Sequence, residues 1–293
     1  MTPRRYAILD VFTGTPLTGN PLAVVQDADD LTTAQMQAIA REFNLSETVF
    51  LRPPGAPDRR ADLRIFTPGI EMPFAGHPTL GAAIYLGLTG EAGAFRLGVP
   101  AGPIDCLVRE SGPRLGEARF VSPGAPRSFG PGPDAAACAA ALGLAAEEIG
   151  LAGHAPSLFG VALPMTFAPV ASLEALARIR VDAAALAAAT DPRHHALTAY
   201  TRAGPGVWRM RMFAPDVGVP EDPATGSMAA AFMGVLARFE GLADGRHEAL
   251  LHQGVEMGRP SRIAVDFTVS AGESGPAGIA GEAVIVAEGV LHV

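Results

Sequence analysis

Cysteine is nearly absent: Cys106 and Cys138 are the two in 293 residues, and neither belongs to a CxxC pair or a Cys/His ligand spacing. A disulfide-built scaffold is therefore excluded, and a reducing cytoplasm is the expected compartment. Charge is also scarce, at 18% of residues, with 22 basic against 30 acidic side chains and a formal net charge of −8. No basic cluster exists to attract a phosphate backbone, so nucleic acid is not an expected partner. Long apolar runs are missing as well. The longest uncharged stretch, 155–173, is broken by Pro156, Pro164 and Pro169 and reads as buried strands and turns, not a membrane span. The opening residues, MTPRRYAILDVF, carry no apolar export segment or cleavage site. There is no HExxH, no Walker A sequence and no GxGxxG opening a βαβ unit, so metal, nucleotide and dinucleotide chemistry have no positive support.

What is present is apolar: 48% hydrophobic residues give enough side chain for two domain cores in a chain of this length. Residues 5–12 and 21–26 read as strands joined by the turn-rich GTPLTGN, with Gly19 and Asn20 supplying turn chemistry. Thr32 and Gln35 form a capping-box pattern, and Met36, Ile39, Ala40 and Phe43 follow on one helical face. Asn44 suits the end of that helix, which places Glu47 at a helix-to-strand junction. Residues 60–66 form a strand pattern running into TPGIEMPFAGHPTLGAAIYLG, where Pro78 suits the first helical turn and His77 is the expected N-cap. Strands are expected at 104–108 and 118–121. A Pro/Gly-rich segment then separates them from an alanine-rich helix beginning near Asp134. This predicts an N-terminal domain over 1–123, completed by the C-terminal strand 281–293, and a C-terminal domain over 124–280.

The second half repeats the order of the first. Strands at 196–201 and 207–213 lead into APDVGVPEDPATGSMAAAFMGVLARF, where residues 228–237 are small or apolar throughout and predict a helix buried on all sides. FTPGIEMPFAGHPTLGAA and FAPDVGVPEDPATGSMAAA each place a Gly and a polar residue at the start of a small-residue helix, as a gene duplication would.

A helix start carries unpaired N–H groups and partial positive charge, so it can receive a carboxylate. Gly76 before His77, and Gly226 before Ser227, leave the backbone open to a ligand. Each position also has an ordinary reading: His77, Thr225 and Ser227 as capping and turn residues, Asp222 before Pro223 as a turn starter, and Glu47 as a solvated loop carboxylate. As a proton carrier, Glu47 would need its pKa lifted from about 4.3 toward neutrality by burial, which Leu45, Val49 and Phe50 make possible. His194 and His195 read as a solvated loop, not a metal site.

Taken together, DVFTGTPLTGNPLAVV, REFNLSETVFL, LRIFTPGIEMPFAGHPTLGAA and EDPATGSMAAAF resemble the signature regions of the PhzF-like (phenazine-biosynthesis) family, in order and spacing. The resemblance implies a diaminopimelate-epimerase-like α/β (α+β) fold of two similar domains, each a barrel-like mixed sheet wrapped around a central helix, with the site between them. It further implies a cofactor-free, metal-free isomerase acting on a small anionic organic substrate, and a homodimer in the cytoplasm. By motif, the acid/base is Glu47, with His77 and Asp222 as further catalytic groups and Gly76, Thr225, Gly226 and Ser227 holding substrate. Asp222 would bind an amino or hydroxyl group. Related epimerases and racemases place a cysteine at each helix start; the corresponding stretches here are FAGHP and DPATG, so a one-base mechanism is expected. Two rival readings stand beside this one. The first is a hydrolase using Ser227, His77 and Asp222, although a GxSxG elbow is missing; the second is a non-catalytic small-acid-binding protein.

Overall fold

A computed structural model describes residues 3–293, and the chain divides into two compact units. The first comprises residues 1–123, 258–262 and 280–293; the second comprises 124–257 and 263–279. The sequence contains no lysine, so every permanently cationic side chain in either unit is an arginine.

In the first unit, β1 (Pro3–Val11) and β2 (Asn20–Val25) form an antiparallel pair in which Val11 faces Asn20. Helix α1 (Thr33–Phe43) follows. Its Thr32/Gln35 capping box is formed, and Asn44 closes it in the left-handed conformation. The chain then enters β3 (Glu47–Arg52), parallel to β2, and β4 (Ala61–Phe66), antiparallel to β3. A two-residue strand, β5 (Glu71–Met72), pairs with the end of β4 and leads into α2 (Gly76–Thr89). Strands β6 (Gly93–Val99), β7 (Gly102–Gly112) and β8 (Leu115–Val121) form a meander, with β6 running parallel to β4. The last strand of the chain, Gly278–His292, pairs with both β8 and β1 and so closes an eight-stranded barrel.

Helix α2 is buried along almost its whole length and packs against strands on every side of that barrel. Its small residues are what make this possible. A Cβ on Gly81 would lie 2.5 Å from Leu22 Cδ2 and 2.8 Å from Val11 Cγ2, inside van der Waals contact. Outside the barrel, Met36, Ile39 and Ala40 of α1 cover Val25, Phe50 and Phe66 in a second core layer.

The second unit repeats this plan. Strand β9 (Arg127–Pro131), helix α3 (Ala135–Leu142), and strands β10 (Ser157–Gly160) and β11 (Met165–Pro169) come first. Then follow helices α4 (Leu173–Arg178) and α5 (Ala183–Ala189), strands β12 (Leu197–Gly204), β13 (Val207–Ala214) and β14 (Val219–Asp222), and helix α6 (Gly226–Phe239). Strands β15 (Gly245–Gln253), β16 (Ser261–Ser270) and β17 (Glu273–Ser274) complete the unit.

Pairings correspond one for one. β11–β12 is parallel as β2–β3 is, and β12–β13 antiparallel as β3–β4 is. β13–β14 matches β4–β5, and parallel β13–β15 matches β4–β6. Helix α6 is buried from Met228 to Ala237, and Phe232 packs edge-on against Tyr200 and Trp208 at ring separations of 4.9 and 5.3 Å.

Even side-chain detail is duplicated. In the first unit Arg64 binds Glu71 through two hydrogen bonds of 2.7 and 2.6 Å and lies 5.2 Å over the Phe66 ring. In the second, Arg211 binds Glu221 through two bonds of 2.8 Å and lies 5.2 Å over Phe213. Each bidentate pair ties the short strand before the central helix to the strand beside it.

Two expectations are corrected. His77 does not cap α2. Ala75 takes the extended N-cap conformation without a side-chain bond, and the helix begins at Gly76, two residues ahead of Pro78. Its Thr79 hydroxyl turns inward and donates back to the Ala75 carbonyl at 2.7 Å. The His194–His195 loop is half-buried instead of solvated. Burial lowers the His194 pKa, and His195 Nδ1 lies 3.0 Å from Thr190 Oγ1.

No helix among the described residues is long and apolar enough to cross a membrane.

Candidate active site

The nominated residues fall into two groups, one in each unit. In the first, β3 begins at Glu47 beside Leu22 of β2, and α2 begins at Gly76, which puts His77 in its first turn. Glu47 Oε2 lies 3.2 Å from His77 Nδ1, with the two side chains 16% and 3% exposed. Asn20, the fully buried first residue of β2, brings its Nδ2 to 3.3 Å from the same ring nitrogen.

That distance would suit an ion pair, but the imidazole is neutral. Burial pushes the His77 pKa down to about 3, with the Pro21 carbonyl opposing the shift weakly. A neutral ring has one N–H. The Pro21 carbonyl is an acceptor, Nε2 has no partner of its own, and the Asn20 amide can present either end, so we assign the proton to Nδ1. Nε2 is then a bare acceptor, buried and without a hydrogen-bond partner. In a native structure such an atom calls for an explanation.

In the second unit, Asp222 ends β14, is 7% exposed, and sits one residue after the clamped Glu221. Alternation along the strand turns the Asp222 side chain away from that clamp. The chain passes through Pro223 and Ala224 to Thr225, the N-cap of α6. Thr225 does not cap with its hydroxyl, which donates to Asp222 Oδ2 instead. Gly226 and Ser227 form the first turn of α6; Gly226 is buried and Ser227 half-buried. Their first-turn amides therefore supply donors and positive dipole at this end of the helix.

Sequence reading missed two residues. Asn20 was seen only as turn chemistry, and Gln253 was not seen at all. Gln253, fully buried at the end of β15, donates to the Asp222 carbonyl at 2.7 Å and to Thr225 Oγ1 at 3.0 Å, and accepts from the Thr225 N–H at 3.0 Å. No local pattern announces it, because its partners lie 28 and 31 positions away.

Cys106 and Cys138 are both buried and unpaired, each thiol pushed up to about 12 by burial, and neither lies at a helix start. The two helix starts carry His77 and Ser227 instead. The group in the first unit can take and return a proton through Glu47 and accept a hydrogen bond at His77 Nε2; the group in the second can offer amide donors to an anion.

The chain as a whole is similar to known proteins. The sequence pattern of the family "Phenazine biosynthesis-like protein" fits residues 9–289. An uncharacterized isomerase of Mesorhizobium japonicum is 45% identical, with all of both chains covered. The trans-2,3-dihydro-3-hydroxyanthranilate isomerase of Pseudomonas fluorescens is 40% identical over 87% of each. Among solved structures, the PhzF-family protein of Bacillus anthracis matches with a TM-score of 0.89 at 24% identity, covering both chains fully. The same fold extends to a hydroxyproline epimerase of Agrobacterium vitis, at a TM-score of 0.62 and 12% identity over 99% and 92% of the two chains. A mixed α/β fold with an epimerase-like plan, matched along nearly its whole length by the pattern that defines these isomerases, makes this chain an isomerase of the PhzF family of phenazine biosynthesis-like proteins.

Proposed function

We propose that the enzyme moves a proton within a small unsaturated acid by one-base catalysis at Glu47, without a cofactor. The observation that carries this reading is the contact between Glu47 Oε2 and the neutral, buried His77 at 3.2 Å. A carboxylate beside an uncharged ring keeps its basicity better than one beside a cation, which would stabilise its ionised form. Glu47 removes a proton from an sp³ carbon, the electron pair moves into the adjoining conjugated system, and the same carboxyl, its proton in exchange with solvent, delivers a proton to another carbon. Composition and charge of the substrate are unchanged, as an isomerisation requires.

His77 Nε2 is read as an acceptor for a substrate N–H or O–H, which would give its buried lone pair a partner. In the second unit, Asp222 is read as the partner of an amino or hydroxyl group, and Thr225, Gly226 and Ser227 as the holders of a carboxylate. The relatives' trans-2,3-dihydro-3-hydroxyanthranilate has these groups and is the first substrate to try.

The test is Glu47→Gln, which keeps shape and hydrogen bonding but cannot carry the proton. With trans-2,3-dihydro-3-hydroxyanthranilate, kcat should fall by about 10²–10⁴ while calorimetric affinity stays within a few-fold. A variant that turns over at the unmodified rate would remove Glu47 from the mechanism. The unchanged composition across the proposed step also separates it from hydrolysis: a product of different mass would favour the Ser227 reading.

A further inference from the structure

The hydrogen bonds around Gln253 have a direction that can be read from the backbone. Its amide spans the turn 222–225, donating to the Asp222 carbonyl and accepting from the Thr225 N–H. Flipping the amide would set oxygen against oxygen and N–H against N–H, so the backbone fixes which end is which. With that end fixed, Nε2 also donates to Thr225 Oγ1. A hydroxyl has one hydrogen, and Thr225 sends it to Asp222 Oδ2. The chain therefore runs one way, from Gln253 through Thr225 to Asp222, and Oδ2 is always the acceptor.

We propose that Gln253 is a positioning residue of this isomerase: through Thr225 it grips Oδ2 of Asp222 and so holds that carboxyl group oriented for contact with substrate. Burial supports the assignment, since Gln253 is fully buried and makes all three of these bonds to the turn that carries Asp222. So does the weak backbone hold on that turn. β14 meets β13 at two register positions separated by an irregularity, with the Arg211–Glu221 pair gripping its opposite face. Gln253 is the grip on the inner side. The inference rests on the reading of Asp222 as a substrate-binding group.

The test is Gln253→Glu, which preserves size but replaces the amide donor with an acceptor while ionised. Asp222 Oδ2 accepts from Thr225 beside this amide, so the new carboxylate both repels it and withdraws the donor that orients Thr225. Assayed with trans-2,3-dihydro-3-hydroxyanthranilate, kcat/KM at pH 8 should fall at least about tenfold. The deficit should shrink toward pH 5, where the introduced carboxyl, once protonated, can donate again. Circular dichroism at each pH separates this from a role in stability: the variant should be folded at pH 8 and still impaired there, whereas a deficit that follows the folded fraction would overturn the proposal. Thr225→Val supplies an independent arm that does not depend on the folding of the first variant. It should lose a similar factor at pH 8 and show no recovery in acid.

The proposal is overturned if both variants stay within about twofold of the unmodified enzyme, or if Gln253→Glu loses the same factor at every pH. Asp222→Asn separates the two layers. If it is fully active, the reading of Asp222 fails; if it is impaired beside an unimpaired Gln253→Glu, the relay alone fails.

Discussion

Acidification should destabilise this protein through His77, and the size of the effect can be worked out from its burial. The folded-state pKa is depressed to about 3 from 6.5, so between those values the unfolded chain binds a proton that the folded chain refuses. Stability from this group is fully present above pH 6.5 and is lost as pH falls, at about 1.4 kcal/mol per unit. Two units into that window, near pH 4.5, the loss is about 3 kcal/mol, and the whole window is worth about 5 kcal/mol at most. That is a large share of the stability of a typical domain. The perturbation is His77→Asn, which keeps a polar side chain but cannot titrate. Urea unfolding from pH 7.5 to 4 would be followed for both proteins by tryptophan fluorescence and circular dichroism. The variant should be the less stable at pH 7.5, yet its stability should fall less steeply with acid, the two curves converging by about 1.4 kcal/mol per unit below pH 6. Parallel curves would refute the neutral buried imidazole, and with it the tautomer assigned above.

Three further outcomes test the packing that supports the site. Gly81→Ala forces a methyl against Leu22 and Val11 inside the barrel, and should cost about 1–3 kcal/mol in denaturant midpoint analysis; no loss would mean that α2 can shift freely. His154 bonds Tyr200 Oη at 2.9 Å and Glu240 at 2.6 Å with its side chain fully buried. His154→Phe keeps the ring but strands the Tyr200 hydroxyl, so thermal unfolding should show a loss of about 1–3 kcal/mol. Arg259 holds buried Asp10 at 2.5 Å and the Thr18 and Gly19 carbonyls at 2.8 and 2.7 Å, fixing the turn that delivers Asn20 to His77. Arg259→Leu leaves that carboxylate buried without its cation and should destabilise by about 3–5 kcal/mol, again read by denaturant unfolding.

Much of this was legible in the sequence where local chemistry decides local structure. Thr32 and Gln35 announced α1, Asn44 ended it, and the unbroken small-apolar run 228–237 announced a helix enclosed by strands. Glu47 at the head of β3 and Gly226 at the head of α6 also came from local patterns. What sequence could not supply was long-range. The start of α2 was misplaced because Ala75 caps it by backbone conformation, and a proline two residues in looked like the stronger signal. Gln253 carries no local mark at all. The paired clamps were not read from the sequence: Arg64 and Phe66 precede Glu71 as Arg211 and Phe213 precede Glu221, but loops of unequal length hide the match.

The most direct test follows the migrating hydrogen itself. Substrate incubated with enzyme in D₂O can be monitored by NMR for deuterium entering the reacting carbons. The unmodified enzyme should introduce it at the carbon that receives the proton, and Glu47→Gln should reduce that exchange to the uncatalysed rate while still binding substrate. Exchange at an undiminished rate in the variant would show that another group carries the proton.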